Sequence, residues 1–141
     1  MLPFIKFINE AVETQTEIID ISSESEYPRK GEPIKSNKFF IIHHTAGLGT
    51  AHGVVRTLNT RKNKAGKTIK LGVQWVVNRD GIIYKTLPSG SIGAHIGPSN
   101  SYPAAPPGIS NDNAQGVEVV AKDDTDIKMP EQGIAVLKII K

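Results

Sequence analysis

Phe39-Phe40-Ile41-Ile42-His43-His44-Thr45-Ala46-Gly47-Leu48 decides how this chain is read. Four apolar, β-favouring residues run into two imidazoles, a hydroxyl and a glycine-containing turn. That is the pattern of a strand that leaves a core and delivers side chains to a loop. Successive strand residues point to opposite faces, so only one of His43 and His44 can enter a cleft. A histidine delivered in this way is a candidate metal ligand. The other imidazole must pack in the opposite layer or satisfy itself on backbone.

Working outward, Phe39–His43 predicts a central strand, since most of its length is too apolar for a wet face. Thr50–Asn59 predicts a helix with Thr50 as cap and Val54, Val55 and Leu58 on one side. Gly72–Asn78 and Gly81–Leu87 read as strands joined by the tight turn Arg79-Asp80-Gly81. Pro88–Asn113 is a long loop rich in Gly, Pro, Ser and Asn, a length that points to function or disorder. Gly116–Ala121 is a further apolar strand, Asp124–Lys128 a loop, and Pro130 opens a helix that runs to Lys141. The order predicts an α/β fold: a mixed central β-sheet flanked by helices. Residues 1–36 read as an arm or linker, rich in Glu, Ser, Thr and Lys from about residue 9, with one short strand at Glu17–Ile21. The folded domain is expected over residues 37–141.

At 141 residues the chain is one domain with enough length to bury a core. A net charge of +3 is too small and dispersed to argue for nucleic acid. Its densest basic stretch, Arg61-Lys62-Asn63-Lys64 with Lys67 and Lys70, reads either as a solvated loop or as a surface attracted to an anionic polymer such as a cell wall. With no cysteine there is no disulfide, thiolate ligand or thiol nucleophile. No stretch is long and apolar enough for a transmembrane helix, and Met1–Ile8 is too short and too soon charged for a secretory signal. Synthesis and retention in a cytoplasm are the expectation, unless something else releases the protein.

Four segments occur in the order and spacing of a known pattern: Ile41–Gly47, Gly72–Tyr84, Gly93-Ala94-His95 and Asn113–Glu118. Together they resemble the type-2 N-acetylmuramoyl-L-alanine amidases, which include phage amidase endolysins and the peptidoglycan recognition proteins. The resemblance covers about three-quarters of the chain, from Asn37 onward. It implies hydrolysis of the amide between N-acetylmuramic acid and L-alanine of peptidoglycan, with zinc held by two His and a Cys or Asp. It places His43 as the metal ligand, with His44 as the alternative, and Glu118 as the catalytic residue that orients or deprotonates water. A carboxylate between Val117 and Val119 on a buried strand would have a raised pKa; on an exposed edge it would simply face water. Thr45, His95 and Asn113 are implied as substrate-side residues, Asn113 also as a brace for its loop. Trp75 is expected in the core.

Two departures stand out. Val73 occupies a position where phage members often carry a catalytic tyrosine, which shifts acid–base work to Glu118. The resemblance also implies further zinc ligands beyond Lys141, so the domain reads as C-terminally incomplete, completed by a missing segment or a second polypeptide. Peptidoglycan recognition without cleavage, or a structural role in a phage particle, are the alternative readings.

Overall fold

The computed structural model describes residues 17–97 and 105–141. Its elements are β1 (Ile18–Asp20), β2 (Phe39–His44), α1 (Ala51–Thr60), β3 (Trp75–Val77), β4 (Ile83–Lys85), β5 (Ala114–Val119) and α2 (Glu131–Ile140). The strands form one mixed sheet in the order β1-β4-β3-β5-β2. Only β3 and β4 run antiparallel, joined through Asn78–Ile82; the other neighbours are parallel. Gly81 in that connection has φ +83, and a Cβ there would lie 2.9 Å from the Glu131 carbonyl, so glycine is required for both conformation and space.

Strand alternation divides the core into two layers. Val76 and Val120 face α1 and pack with Ala51, Val55, Val73 and Ile21. Val77, Val117 and Val119 face α2 and pack with Ala135, Val136 and Ile83. Each such β-branched side chain contributes roughly 1.5–3 kcal/mol through burial. Helix α1 starts where Thr50 Oγ1 accepts the Gly53 amide at 3.1 Å and Asn78 Oδ1 accepts the Ala51 amide at 2.9 Å. It stops at Arg61, whose ψ of 139 is extended. Pro130 occupies the N-cap of α2.

Two sequence expectations change. β2 lies at the edge of the sheet rather than its centre, and Ile42 is 52% exposed. Its apolar run reflects partial cover: Phe40 packs into the α2 layer while Ile42 does not. Residues 17–36 are no arm. β1 pairs with β4, Ile21 and Tyr27 are buried, and Asn59 grips the segment by accepting from the Glu26 amide and donating to the Glu24 carbonyl. Packing therefore begins well before Asn37; residues 1–16 lie outside the described set. On α2, Val136 is buried and Ile139 packs, while Leu137 and Ile140 are exposed.

Two buried glutamines join these parts, and nothing in the sequence pattern marks them. Gln74 donates to the Ser91 carbonyl and accepts the Gly116 amide at 2.8 Å, fastening the long loop to β5. Gln132 donates to the Val120 carbonyl at 2.9 Å and accepts the Lys128 amide, fastening α2 to the sheet.

Candidate functional site

β2, β3 and β5 run parallel, so their carboxyl ends open on the same side, the usual location of ligands in open α/β sheets. There the turn after β2 and the length of α1 enclose a cleft of about 420 Å³. Its walls include Thr45, Leu48, Thr57 and Leu58, with Arg61 and Glu118 as its charged members.

The β2–β5 register pairs His43 with Glu118. Paired residues on parallel strands project from the same face, and Val76, also opposite Glu118, identifies that face as the α1 side. His44, which also lines the cleft where β2 ends, pairs with Val119 and so projects on the α2 side. There its Nδ1 accepts the Ala46 amide at 3.2 Å and its Nε2 stands 3.7 Å from Asp124.

Among the described residues, Glu118 stands out as a buried polar side chain with an unpartnered oxygen, Oε2. Burial pushes the carboxyl up to about 7, although the Arg61 guanidinium pulls the other way. An orphan carboxylate oxygen lining a cleft marks a site rather than a scaffold.

His95 arrives from the long loop and lies against β5. Asn111 Oδ1 accepts both the His95 and Ile96 amides at 3.0 Å, and the Gly72–Ala94 bridge fixes the preceding residue. The ring needs room that only small residues give: a Cβ on Gly116 would meet His95 Nδ1 at 2.6 Å. Its Nε2 lies 3.2 Å from the Ala114 carbonyl, which can only accept, so Nε2 carries the proton. Desolvation holds His95 down to about 4, so the ring is neutral and Nδ1 is an acceptor. His43 Nε2 must therefore donate across the 3.1 Å gap to His95 Nδ1. Desolvation, with His44 adding to it, lowers the His43 pKa as well. His43 is thus a neutral imidazole, oriented by His95, with Nδ1 left as its lone-pair nitrogen.

Other expected site residues have structural duties. Both nitrogens of His95 are engaged, so a substrate hydrogen bond would have to displace one of them. Asn113 donates to the Gly108 carbonyl and accepts the Ser110 amide, bracing the loop as the sequence suggested. Thr45 lines the cleft while its hydroxyl donates to the Gly47 carbonyl at 2.8 Å, closing the turn. Trp75 is half-buried in the α2 layer and donates to Gln115. Val73 is core. The His43–His95 contact, the Asn111 clamp and Arg61 were not anticipated. The spacing of residues 43, 95, 111 and 61 carries no periodic signal, and only the fold brings them together.

Among the described residues, no group of three or more His, Cys, Asp or Glu is placed to hold a metal ion. A catalytic zinc needs about three protein ligands, so these residues do not by themselves fit one. His43 is the single well-oriented candidate.

Fold and site together define an α/β protein with an acid–base cleft at the carboxyl ends of its parallel strands. The chain belongs to the N-acetylmuramoyl-L-alanine amidase family, whose profile matches residues 31–140. Among solved structures, the fold is similar to N-acetylmuramoyl-L-alanine amidase LysC from Clostridium intestinale (18% identity, TM-score 0.57, covering 89% of this chain and 72% of that one). It is also similar to the Ph2119 endolysin from a Thermus scotoductus bacteriophage (21% identity, TM-score 0.57, 88% and 75%). Drosophila PGRP-LB shares it too (18% identity, TM-score 0.59, 88% and 71%). No curated protein matches by sequence. No helix among the described residues is long and apolar enough to cross a membrane.

Proposed function

We propose that this protein acts on peptidoglycan, hydrolysing the amide that joins the lactyl group of N-acetylmuramic acid to L-alanine. The observation that carries this reading is Glu118: an unpartnered, buried carboxylate beside an oriented imidazole, in a cleft of a family member.

In this reading the muramoyl peptide lies along the cleft, with Thr45 and the turn after β2 on one side and Thr57 and Leu58 on the other. Glu118 takes a proton from water as its oxygen attacks the lactyl carbonyl carbon. The carbon–nitrogen bond breaks as that proton passes to the departing alanine nitrogen. The products are a lactyl carboxylate and a peptide with a free amino terminus. Zinc, when bound, would polarise the carbonyl and lower the pKa of water. His43 is the residue here that would hold it, and the other ligands would have to come from outside the described residues. His95 and Asn113 act by holding the walls. A second reading, recognition without hydrolysis, draws on the single candidate ligand.

The test is product chemistry. Peptidoglycan incubated with the protein and zinc, or with a longer form containing it, should yield new amino-terminal alanine. Glu118→Gln should cut that yield by about 10²–10⁴-fold. New reducing sugar ends without free alanine would refute the amidase reading. Binding without any cleavage would establish the second one.

A further inference from the structure

The densest run of positive charge in the chain lies between residues 61 and 70. Residues 61–70 hold Arg61, Lys62, Lys64, Lys67 and Lys70 and no acid, a charge of +5. Since the whole chain carries +3, everything else sums to −2.

This stretch is a built excursion. The Ile69 amide donates to the Arg61 carbonyl at 2.7 Å, and Lys62 and Thr68 form an antiparallel bridge. Asn63 accepts the amides of Ala65 and Lys67, both at 3.0 Å, and Gly66 turns the tip with φ +75. The Leu71 amide then returns to the Leu58 carbonyl, anchoring the base at the end of α1. Lys70 pairs with Glu26. Arg61, Lys62, Lys64 and Lys67 form no ion pair among the described residues. Cations just past a helix C-terminus complement its dipole, which accounts for Arg61 and Lys62. That effect fades beyond the last turn and leaves Lys64 and Lys67 at the tip without a structural reason. Arg61 also lines the cleft, so the cationic surface continues from the cleft outward.

We infer that the excursion of residues 61–70 is a docking surface for the anionic polyol-phosphate polymers that many bacterial walls attach to their glycan. Lysines act on phosphate as point charges that need no fixed register, which suits a flexible polymer of repeating phosphodiesters. A ligand bound at one end to the cleft and charged along its length would meet this ledge next. The choice of polymer rests on the peptidoglycan reading of the cleft; the docking surface itself rests on its own charge and order.

The test is co-sedimentation with isolated walls, intact or stripped of polyol phosphate by hydrofluoric acid, over a salt series. Wild-type protein should bind intact walls more tightly than stripped ones. The variant K62Q/K64Q/K67Q should lose about tenfold of its affinity for intact walls at low salt. Its salt dependence should be shallower, because three fewer counterion-releasing contacts are made. Thermal melting of the variant checks that the fold is kept. Equal binding to intact and stripped walls, unchanged binding by the variant, or tighter binding to phosphatidylglycerol vesicles would each overturn the proposal. Titrating MurNAc-L-Ala-D-isoGln into the same variant separates the two readings. Its binding at the cleft should persist. If the peptide fails to bind while wall retention behaves as described, the cleft reading falls and the docking surface stands.

Discussion

Glu118 and His95 respond to pH in opposite directions. Glu118 has a folded pKa raised from 4.5 to about 7, so the native state holds its proton between those values and the unfolded state does not. Stability contributed by the neutral carboxyl is complete below about 4.5 and is lost as pH rises through 7. His95 is lowered from 6.5 to about 4, so there the unfolded state holds the proton. Its contribution is present above 6.5 and lost as pH falls through 4. Between pH 4.5 and 6.5 the two slopes offset one another. Glu118→Gln should remove one of them. Denaturant unfolding should show the variant gaining on wild type as pH rises from 4.5 to 8, by at most about 3 kcal/mol. A constant difference across that range would mean that Glu118 is not desolvated. The importance of Glu118 was legible in the sequence only through its flanking valines and the family pattern. The missing hydrogen-bond partner became visible only once the strands were aligned.

At the scale of elements, small residues on β5 leave the space in which His95 lies. Gly116→Ala should drive a methyl group into that ring and destabilise the fold by about 1–3 kcal/mol, read as a lower denaturation midpoint. It should also release His43 from its partner, visible as altered imidazole resonances. An unperturbed melting curve would show that the ring can move aside. Thr50→Ala removes the side-chain cap of α1 and should cost about 1 kcal/mol. This helix, its cap and the Asp80-Gly81 turn were all readable from local rules, because their determinants lie within a few residues. The sheet order was not. An apolar run such as Phe39–Ile42 suits either a central strand or an edge strand with one covered face, and only the long-range pairing with β5 distinguishes them.

For the whole molecule, residues 17–36 belong to the fold. β1 completes one edge of the sheet, while Ile21 and Tyr27 fill separate parts of the core. A Cβ on Gly72 would meet the Tyr27 ring at 3.1 Å, and the Tyr27 hydroxyl donates to the Gly93 carbonyl at 3.3 Å, supporting the loop that carries His95. Tyr27→Ala should therefore cost about 3–5 kcal/mol, and a chain starting at Asn37 should fail to give a cooperative unfolding transition. A polar composition hid this role, since two buried apolar residues among many Ser and Glu leave no periodic trace. The same scale governs metal. With His43 as the single oriented candidate among the described residues, purified chain of this length should keep no stoichiometric zinc through dialysis; retained zinc would show that the ligand set is larger than the structure indicates.

The central claim is that one face of the sheet, bearing His43 and Glu118, receives a muramoyl peptide. Amide and side-chain chemical-shift mapping with MurNAc-L-Ala-D-isoGln tests it without requiring turnover. The predicted result is a set of shifts at Thr45, Thr57, Leu58 and Glu118, lost when Glu118 is replaced by a bulky residue. Shifts confined to Asp124 and the α2 layer, or none at millimolar ligand, would contradict it.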